Sequence, residues 1–355
     1  MAILFLFFTG YCLVWIVYAR RFHSLAKFPG PFLASITRLW LVIDVARGRS
    51  EETQRRLHRI YGPIVRIAPD EVAIADPEAI KTIYAAHSGF IKTDFYLPFR
   101  ATWGRYPDAF TNLDEHQHAD RRRIVSSSYS MSNIVKIEHE IDRCVQALVE
   151  KFAQCAKNDV SVDLSEWIQW YTFDVVGELF FSCMFGFLDG AYDYGGYIGA
   201  LNLLIPIAGS DTTAAAIRAI LYHLMRTPSA YAKVTDEIDT ARKKNRLSEN
   251  VQYREAVRLP YLVACCKEGM RLHPSVGMTL PRCVPSGGCV IAGEMFPGGT
   301  RVGVNAAVVQ RDRRIFGEDA DSFVPERWLR KDAARMERYM FAVCNPVSME
   351  LFSQH

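Results

Sequence analysis

The first seventeen positions after Ala2 form a run with no polar face: from Ile3 to Ala19 almost every residue is apolar, and Arg20-Arg21 close the run. A helix needs about 20 apolar residues to cross the hydrocarbon core of a bilayer, and a helix apolar all round belongs in lipid or in the centre of a large protein. No basic segment precedes the run and no small-x-small cleavage site ends it, which argues against a removed signal peptide. Arg20, Arg21 and Lys27 follow it, so the positive-inside rule places the remainder in the cytoplasm. The pattern predicts a single-pass transmembrane anchor over 1–21 and a hinge over 22–31 holding Phe28-Pro29-Gly30-Pro31. Its prolines lack amide donors and restrict the residues before them. A folded body over 32–355 is expected to follow.

Downstream the periodicity shortens and then lengthens. Ile64, Arg66 and Ala68, then Val72 and Ile74, alternate around Pro69-Asp70, the mark of two short strands joined by a turn. Asp76-Pro77-Glu78 predicts a helix start, with Asp76 as N-cap and Pro77 at the first helical position. Ile217, Ile220, Leu221 and Leu224 recur at helical spacing until Arg226-Thr227-Pro228 ends the segment, and Val290 to Val302 predicts strands with a turn between. The expected class is mainly α with small β-sheets, an α+β body. No internal repeat or low-complexity tract is present.

Composition changes this picture little. A chain of 355 residues, 50% hydrophobic and 23% charged, can bury a sizeable core. A net charge of +3 gives no reason to expect nucleic acid as a partner. Nine cysteines without Cys-x-x-Cys spacing speak against a zinc module or a disulfide framework and for a reducing compartment.

Five segments carry candidate chemistry. Glu268 and Arg271 stand three apart in Glu268-Gly269-Met270-Arg271, and Pro325-Glu326-Arg327-Trp328 follows downstream. A Glu and Arg at this spacing make an ordinary helical pair on their own. Ala208-Gly209-Ser210-Asp211-Thr212-Thr213 precedes them and also reads as a simple helix N-terminus. His118 and Arg122, within His116 to Arg123, can project the same way from one helix, although a short basic run is more often a solvated face. Arg282 in Leu280-Pro281-Arg282 is a further isolated cation.

In this order the segments resemble the cytochrome P450 monooxygenases, over most of residues 28–341, and the local phrasing is most similar to fungal pisatin-demethylase-like members. The resemblance implies the cytochrome P450 fold with heme b (iron protoporphyrin IX) as cofactor. It implies a buried charge triad of Glu268, Arg271 and Arg327, in which one acid between two guanidiniums would need backbone carbonyls as further acceptors. It implies His118, Arg122 and Arg282 as donors to the heme propionates, a task suited to the planar guanidinium. Ala208 and Gly209 would open the helix beside the heme, while Asp211 and Thr212 would relay protons for O–O cleavage. The implied reaction is oxidation of a lipophilic small molecule with O2 and electrons from NADPH-cytochrome P450 reductase, at the endoplasmic reticulum membrane, in secondary metabolism.

Two departures from the family pattern shape the expectation. The family's axial thiolate lies in a Phe-x-x-Gly-x-Arg-x-Cys-x-Gly loop, where this chain reads Phe341-Ala342-Val343-Cys344-Asn345-Pro346. Cys344 is then the candidate ligand without the Gly and Arg that should precede it, a free thiol being the other reading. Between Phe185 and Ala208 there is little chain for the helices that roof the substrate pocket. A P450 fold lacking part of the roof and the C-terminal ligand loop is expected, and with it the alternative of a non-catalytic remnant or splice or gene-model variant that does not bind heme.

Overall fold

The computed structural model describes residues 1–85, 87–100, 107–108, 110–128, 130–196, 198–199 and 209–340, with backbone alone for residues 2, 194 and 209–211. The chain is mostly helical with small sheets and divides into two compact units, one from Met1–Arg121 with Gly277–Gly317 and the other from Arg122–Val276 with Glu318–Glu337.

The first unit starts with α1 (Ala2–Val17), which a wider turn extends through Tyr18–Phe22. The stretch Ile3–Phe22 is long and apolar enough to cross a bilayer and is almost wholly exposed. Its base is fastened to the body. Ala19 is fully buried and its carbonyl accepts from the Arg66 guanidinium at 2.7 Å, and the Trp15 indole donates to the Ile36 carbonyl at 2.8 Å. Three short helices follow, α2 (Phe32–Ile36), α3 (Leu39–Ala46) and α4 (Ser50–Tyr61).

The proline-containing connector is packed into this unit. Phe28 stacks on Phe296 with centroids 4.9 Å apart, and the Pro29 carbonyl accepts from the Arg66 amide at 2.8 Å. Gly30 passes so close to the strand that a Cβ there would lie 2.2 Å from the Arg66 carbonyl oxygen.

The strands are β1 (Ile64–Ala68), β2 (Glu71–Ile74), β3 (Ile91–Lys92), β4 (Arg282–Cys283), β5 (Cys289–Ile291), β6 (Glu294–Phe296) and β7 (Arg301–Val304). Five of them form one sheet in the order β1-β2-β7-β4-β3, parallel only between β2 and β7, and β5 pairs with β6 as a separate hairpin. The predicted alternation of β1 is only half right, because every residue of β1 and β2 is buried. One face meets the apolar cluster of Phe28, Ile74, Phe296 and Val302. The other puts Val65, Ile67 and Ala73 against Leu57 and Trp40 of the overlying helices. Helix α5 spans Ala79–Tyr84, later than Asp76-Pro77 predicted. Asp76 accepts instead from the Glu78 amide at 3.2 Å, within a turn that carries Pro77 ahead of the helix. Helix α6 (Glu115–Ser126) lies at the boundary between the units in sequence.

In the second unit α7 (Glu138–Lys157) packs on α8 (Leu164–Phe181) around Trp167, Trp170 and Phe187. Asp163 caps α8 by accepting from the Ser165 amide at 2.7 Å. Within α8 the fully buried Asp174 accepts from the amides of Gly186, Phe187 and Leu188 at 2.9, 3.2 and 2.8 Å. Helices α9 (Gly209–Arg226), α10 (Pro228–Lys243) and α11 (Pro260–Leu272) share a second cluster of Leu224, Val234, Tyr261 and Cys265. Two carboxylate oxygens of Glu237 accept from the Tyr261 and Leu262 amides, each at 2.9 Å, so α10 caps α11 where Pro260 leaves no donor.

Two substitutions test these backbone constraints. Gly30→Ala should destabilise by about 2 kcal/mol, the order of cost for forcing an extra methyl into a packed site. In the β5–β6 turn Ala292 and Gly293 have φ of 50° and 79°, and a non-glycine residue in that region costs about 1 kcal/mol. Ala292→Gly should therefore stabilise by about 0.5–1 kcal/mol. Urea unfolding of the detergent-solubilised chain reads both, and a neutral Gly30→Ala would contradict the close approach.

Candidate functional site

The second unit holds a fully buried ion network built on α11. Glu268, Arg271 and Arg327 each have no exposed surface. Arg271 binds Glu268 through two bonds, Nε to Oε2 at 2.8 Å and Nη2 to Oε1 at 2.9 Å. Arg327 Nε adds a bond to Oε1 at 2.9 Å. The Val324 amide and the Trp328 indole also donate to the same carboxylate, each at 2.9 Å. One carboxylate thus accepts five donors. The two guanidiniums turn their remaining N–H groups to the carbonyls of Ala320, Ser322 and Asp319 at 2.7, 3.1 and 3.1 Å.

The charge balance differs from the expectation of one acid between two arginines. Asp319 Oδ1 lies 3.2 Å from Arg327 Nη1, so two acids face two guanidiniums. The sequence offered Asp319 only as part of an acidic stretch, and Trp328 only as a neighbour of Arg327; neither spacing told that the side chain turns inward.

Helix α9 crosses α11 at Gly269, where a Cβ would lie 2.7 Å from Ile220 Cγ1 and 3.0 Å from its Cα. Only a glycine lets the two helices approach this closely. Gly209 begins α9, Thr212 lies half-buried in its first turn, and the Thr212 carbonyl accepts from Ser275 Oγ at 2.8 Å. Asp211 is described through its backbone, and Ala208 lies outside the described residues.

In the first unit Arg282 sits on β4, opposite Lys92 of β3. Its guanidinium is 5.2 Å from the Tyr84 ring centroid and 5.1 Å from that of Tyr96, donates to the Tyr96 hydroxyl and to the Pro281 carbonyl at 3.2 Å. No carboxylate pairs with Arg282 among the described residues. Tyr84 is locked beneath it, donating to the Leu280 carbonyl at 2.7 Å and accepting from the Val304 amide at 2.9 Å. Burial pushes the phenols of Tyr84 and Tyr96 up, so both stay neutral and serve as hydrogen-bonding walls. Lys92 is 8% exposed, with its Nζ 5.8 Å from the Tyr96 centroid. Sequence reasoning found Arg282 but missed Lys92, Tyr84 and Tyr96, which its register on the sheet brings together.

Helix α6 bears His118 and Arg122. His118 is half-buried with Nδ1 3.5 Å from Glu115 Oε2, and Arg122 is exposed. Of the cysteines, Cys144 and Cys265 are buried, and burial pushes their thiols up to about 11 and about 12 respectively. Burial likewise raises Cys266 and Cys283. A thiol held this far from ionisation is a poor thiolate donor. Cys344 lies outside the described residues.

Comparison with known proteins places the chain in a family. The family model for cytochrome P450 matches residues 29–204 and 198–342. The chain is 36% identical to the cytochrome P450 monooxygenase gsfF of Penicillium aethiopicum, over 93% of this chain and 84% of that protein. It is 31% identical to the cytochrome P450 monooxygenase cicH of Emericella nidulans, over 93% and 84%. It is 30% identical to a pisatin demethylase of Fusarium vanettenii, over 90% and 79%.

The ion network makes a graded prediction. Glu268→Gln leaves two buried guanidiniums without their shared anion and should cost about 3–5 kcal/mol of unfolding free energy. Asp319→Ala removes a carboxylate that is 42% exposed and should cost about 1 kcal/mol or less. Urea unfolding followed by tryptophan fluorescence distinguishes them; equal effects from the two variants would show that Glu268 does not carry the network.

Proposed function

The chain belongs to the cytochrome P450 monooxygenases, and from that premise we propose that it oxidises a lipophilic small molecule in fungal secondary metabolism, with heme b, O2 and electrons from NADPH-cytochrome P450 reductase. What carries the heme reading is Arg282, a half-buried guanidinium held over two tyrosines with no carboxylate of its own among the described residues. A propionate would supply that missing counter-charge through a charge-assisted hydrogen bond. The residues therefore fit the group, and His118 and Arg122 are further propionate donors in this reading.

When bound through a cysteine thiolate, heme would supply the activation of O2. The protein's own residues have narrower tasks. Thr212 and Asp211, in the first turn of α9, hold and deliver protons, while Ala208 and Gly209 leave room for the substrate. Glu268, Arg271 and Arg327 hold α11 against the 325–329 segment and set the position of α9 through Gly269. Cys344 is the thiolate candidate, since burial keeps the core thiols of Cys144 and Cys265 protonated.

Helix α1 anchors the protein in the endoplasmic reticulum membrane, with Arg20, Arg21 and Lys27 on the cytoplasmic side in keeping with the positive-inside rule. A shortened pocket roof between Phe185 and Ala208 is part of the same reading. It is supported by the family model matching in two stretches that overlap at 198–204, as when an internal piece of the family is missing.

The full chain, loaded with hemin and reduced under carbon monoxide, should give the red-shifted Soret band of a thiolate-ligated heme. Cys344→Ser should lose that band, and Arg282→Ala should weaken heme retention about tenfold, the scale of one charged hydrogen bond. A folded chain that shows no such band overturns the monooxygenase reading for this protein.

A further inference from the structure

Helices α3 and α4, with the end of α2, surround a cavity of about 770 Å³ in the first unit, within the size range of small-molecule sites. Its lining has two chemistries. Leu33, Leu39, Trp40 and Ile43 form an apolar wall, and Leu33, Leu39 and Ile43 are 54%, 58% and 43% exposed. Against them stand five arginines, Arg47, Arg49, Arg55, Arg56 and Arg59, with only Asp44 and Glu52 as lining acids. No carboxylate pairs with Arg47, Arg49 or Arg56 among the described residues.

Asp44 makes this more than a basic rim. It is 7% exposed, lines the cavity, and its Oδ2 has no hydrogen-bond partner. The Arg55 Nε is also buried without an acceptor, while its Nη2 lies 3.6 Å from Glu51 Oε1. Native proteins rarely leave buried polar atoms without a hydrogen-bond partner, and both such atoms lie on the lining of one cavity. A ligand that suits it must offer an anion to the arginines, a donor to Asp44 and apolar chains to the Leu33–Ile43 wall.

We propose that this cavity binds the headgroup of an anionic phospholipid that carries an ammonium, of the phosphatidylserine type. The phosphate and carboxylate meet the arginines, the ammonium meets Asp44, and the acyl chains leave along the exposed leucines. Lipid is within reach because Ile36, at the end of α2, holds the Trp15 indole of the apolar helix α1. The inference rests on the reading of α1 as a membrane anchor.

The test reconstitutes the full chain in phosphatidylcholine vesicles with trace spin-labelled lipid and compares the immobilised fractions. Labelled phosphatidylserine should be enriched several-fold over labelled phosphatidylcholine. The double variant Arg47→Ala/Arg56→Ala should bring it to the phosphatidylcholine level. Asp44→Asn should keep the preference for anionic lipid but lower the ratio of phosphatidylserine to phosphatidic acid several-fold. Equal immobilisation in the parent chain, or enrichment unchanged in the arginine variant, overturns the proposal. Displacement of the labelled lipid by millimolar glycerophosphoserine also overturns it, assigning the cavity to a soluble phosphate ester. Flotation separates the two readings. Failure to float with phosphatidylcholine vesicles contradicts the anchor, yet flotation that then depends on phosphatidylserine and on the arginines still supports the cavity. No flotation with either lipid overturns both.

Discussion

Glu268 is the one acceptor around which the second unit is arranged. Two guanidiniums, an indole and a backbone amide converge on its two oxygens, and none of these groups has water to fall back on. A buried carboxylate of this kind is tolerated only when every lone pair is used and every cation around it is matched. The consequence is positional. Arg271 comes from the same helix, whereas Arg327, Trp328 and Val324 come from a segment more than fifty residues further along, so satisfying one anion fixes how the late segment lies on α11. From α11 the constraint passes to α9 through the Gly269 contact with Ile220, and to α10 through the Glu237 cap. The first turn of α9, which carries Thr212, is thereby placed by a carboxylate two helices' worth of contacts away.

The first unit solves a similar problem with the opposite sign. Arg66 is buried at 2% exposure, and its guanidinium is taken up by carbonyls, those of Ala19 and Pro69. Burial, with the nearby Arg20 charge, holds its pKa below the usual guanidinium value, a sign that the cation is accommodated rather than paired. What it gains is geometry. A guanidinium presents a fixed fork of donors, and here that fork ties the foot of the apolar helix to the β1–β2 turn. Gly30 lies against the carbonyl of the same residue, so the connector, the helix base and the strand all meet at Arg66. The proline stretch is rigid partly because of its own φ restriction and partly because Phe28 is sunk in the core.

Much of this was legible from residue patterns and some was not. The order of the apolar run, the strand pair, the Glu-x-x-Arg helix and the Pro-Glu-Arg segment could be read because each depends on local periodicity or on a short motif. Arg66 could not, since it shares the strand face of Ile64, and only the base of the apolar helix and the β1–β2 turn bring up the carbonyls that take its guanidinium there. Asp319 and Trp328 were missed for a related reason: their roles depend on where a distant helix delivers a carboxylate. Gly269 gave no signal of its own, because its role of letting another helix in depends on where Ile220 of α9 lies. Asp174, which gathers three amides of one turn, carries no periodic signal at all.

Charge matching also separates structure from site. Arg301 is saturated, with Asp70 at 3.2 Å and Asp94 at 2.9 Å, and such a residue has nothing left to offer a guest. Arg282, one strand away on β4, has the same guanidinium and a comparable degree of burial but meets only phenols and a carbonyl. The neutral acceptors, both met by Nη1, do not neutralise it, so the local field stays positive in a partly dry environment where charge is felt strongly. An anion arriving there loses little, because the cation is already desolvated and already oriented by Tyr84 and Tyr96. At the α3–α4 cavity Arg47, Arg49 and Arg56 likewise have no carboxylate partner among the described residues, although they are exposed, and Asp44 is an added acceptor. A fold that pairs Glu268, Arg271, Arg301 and Arg327 so completely does not leave other guanidiniums unmatched for want of acids, and the unmatched ones are where charged ligands belong.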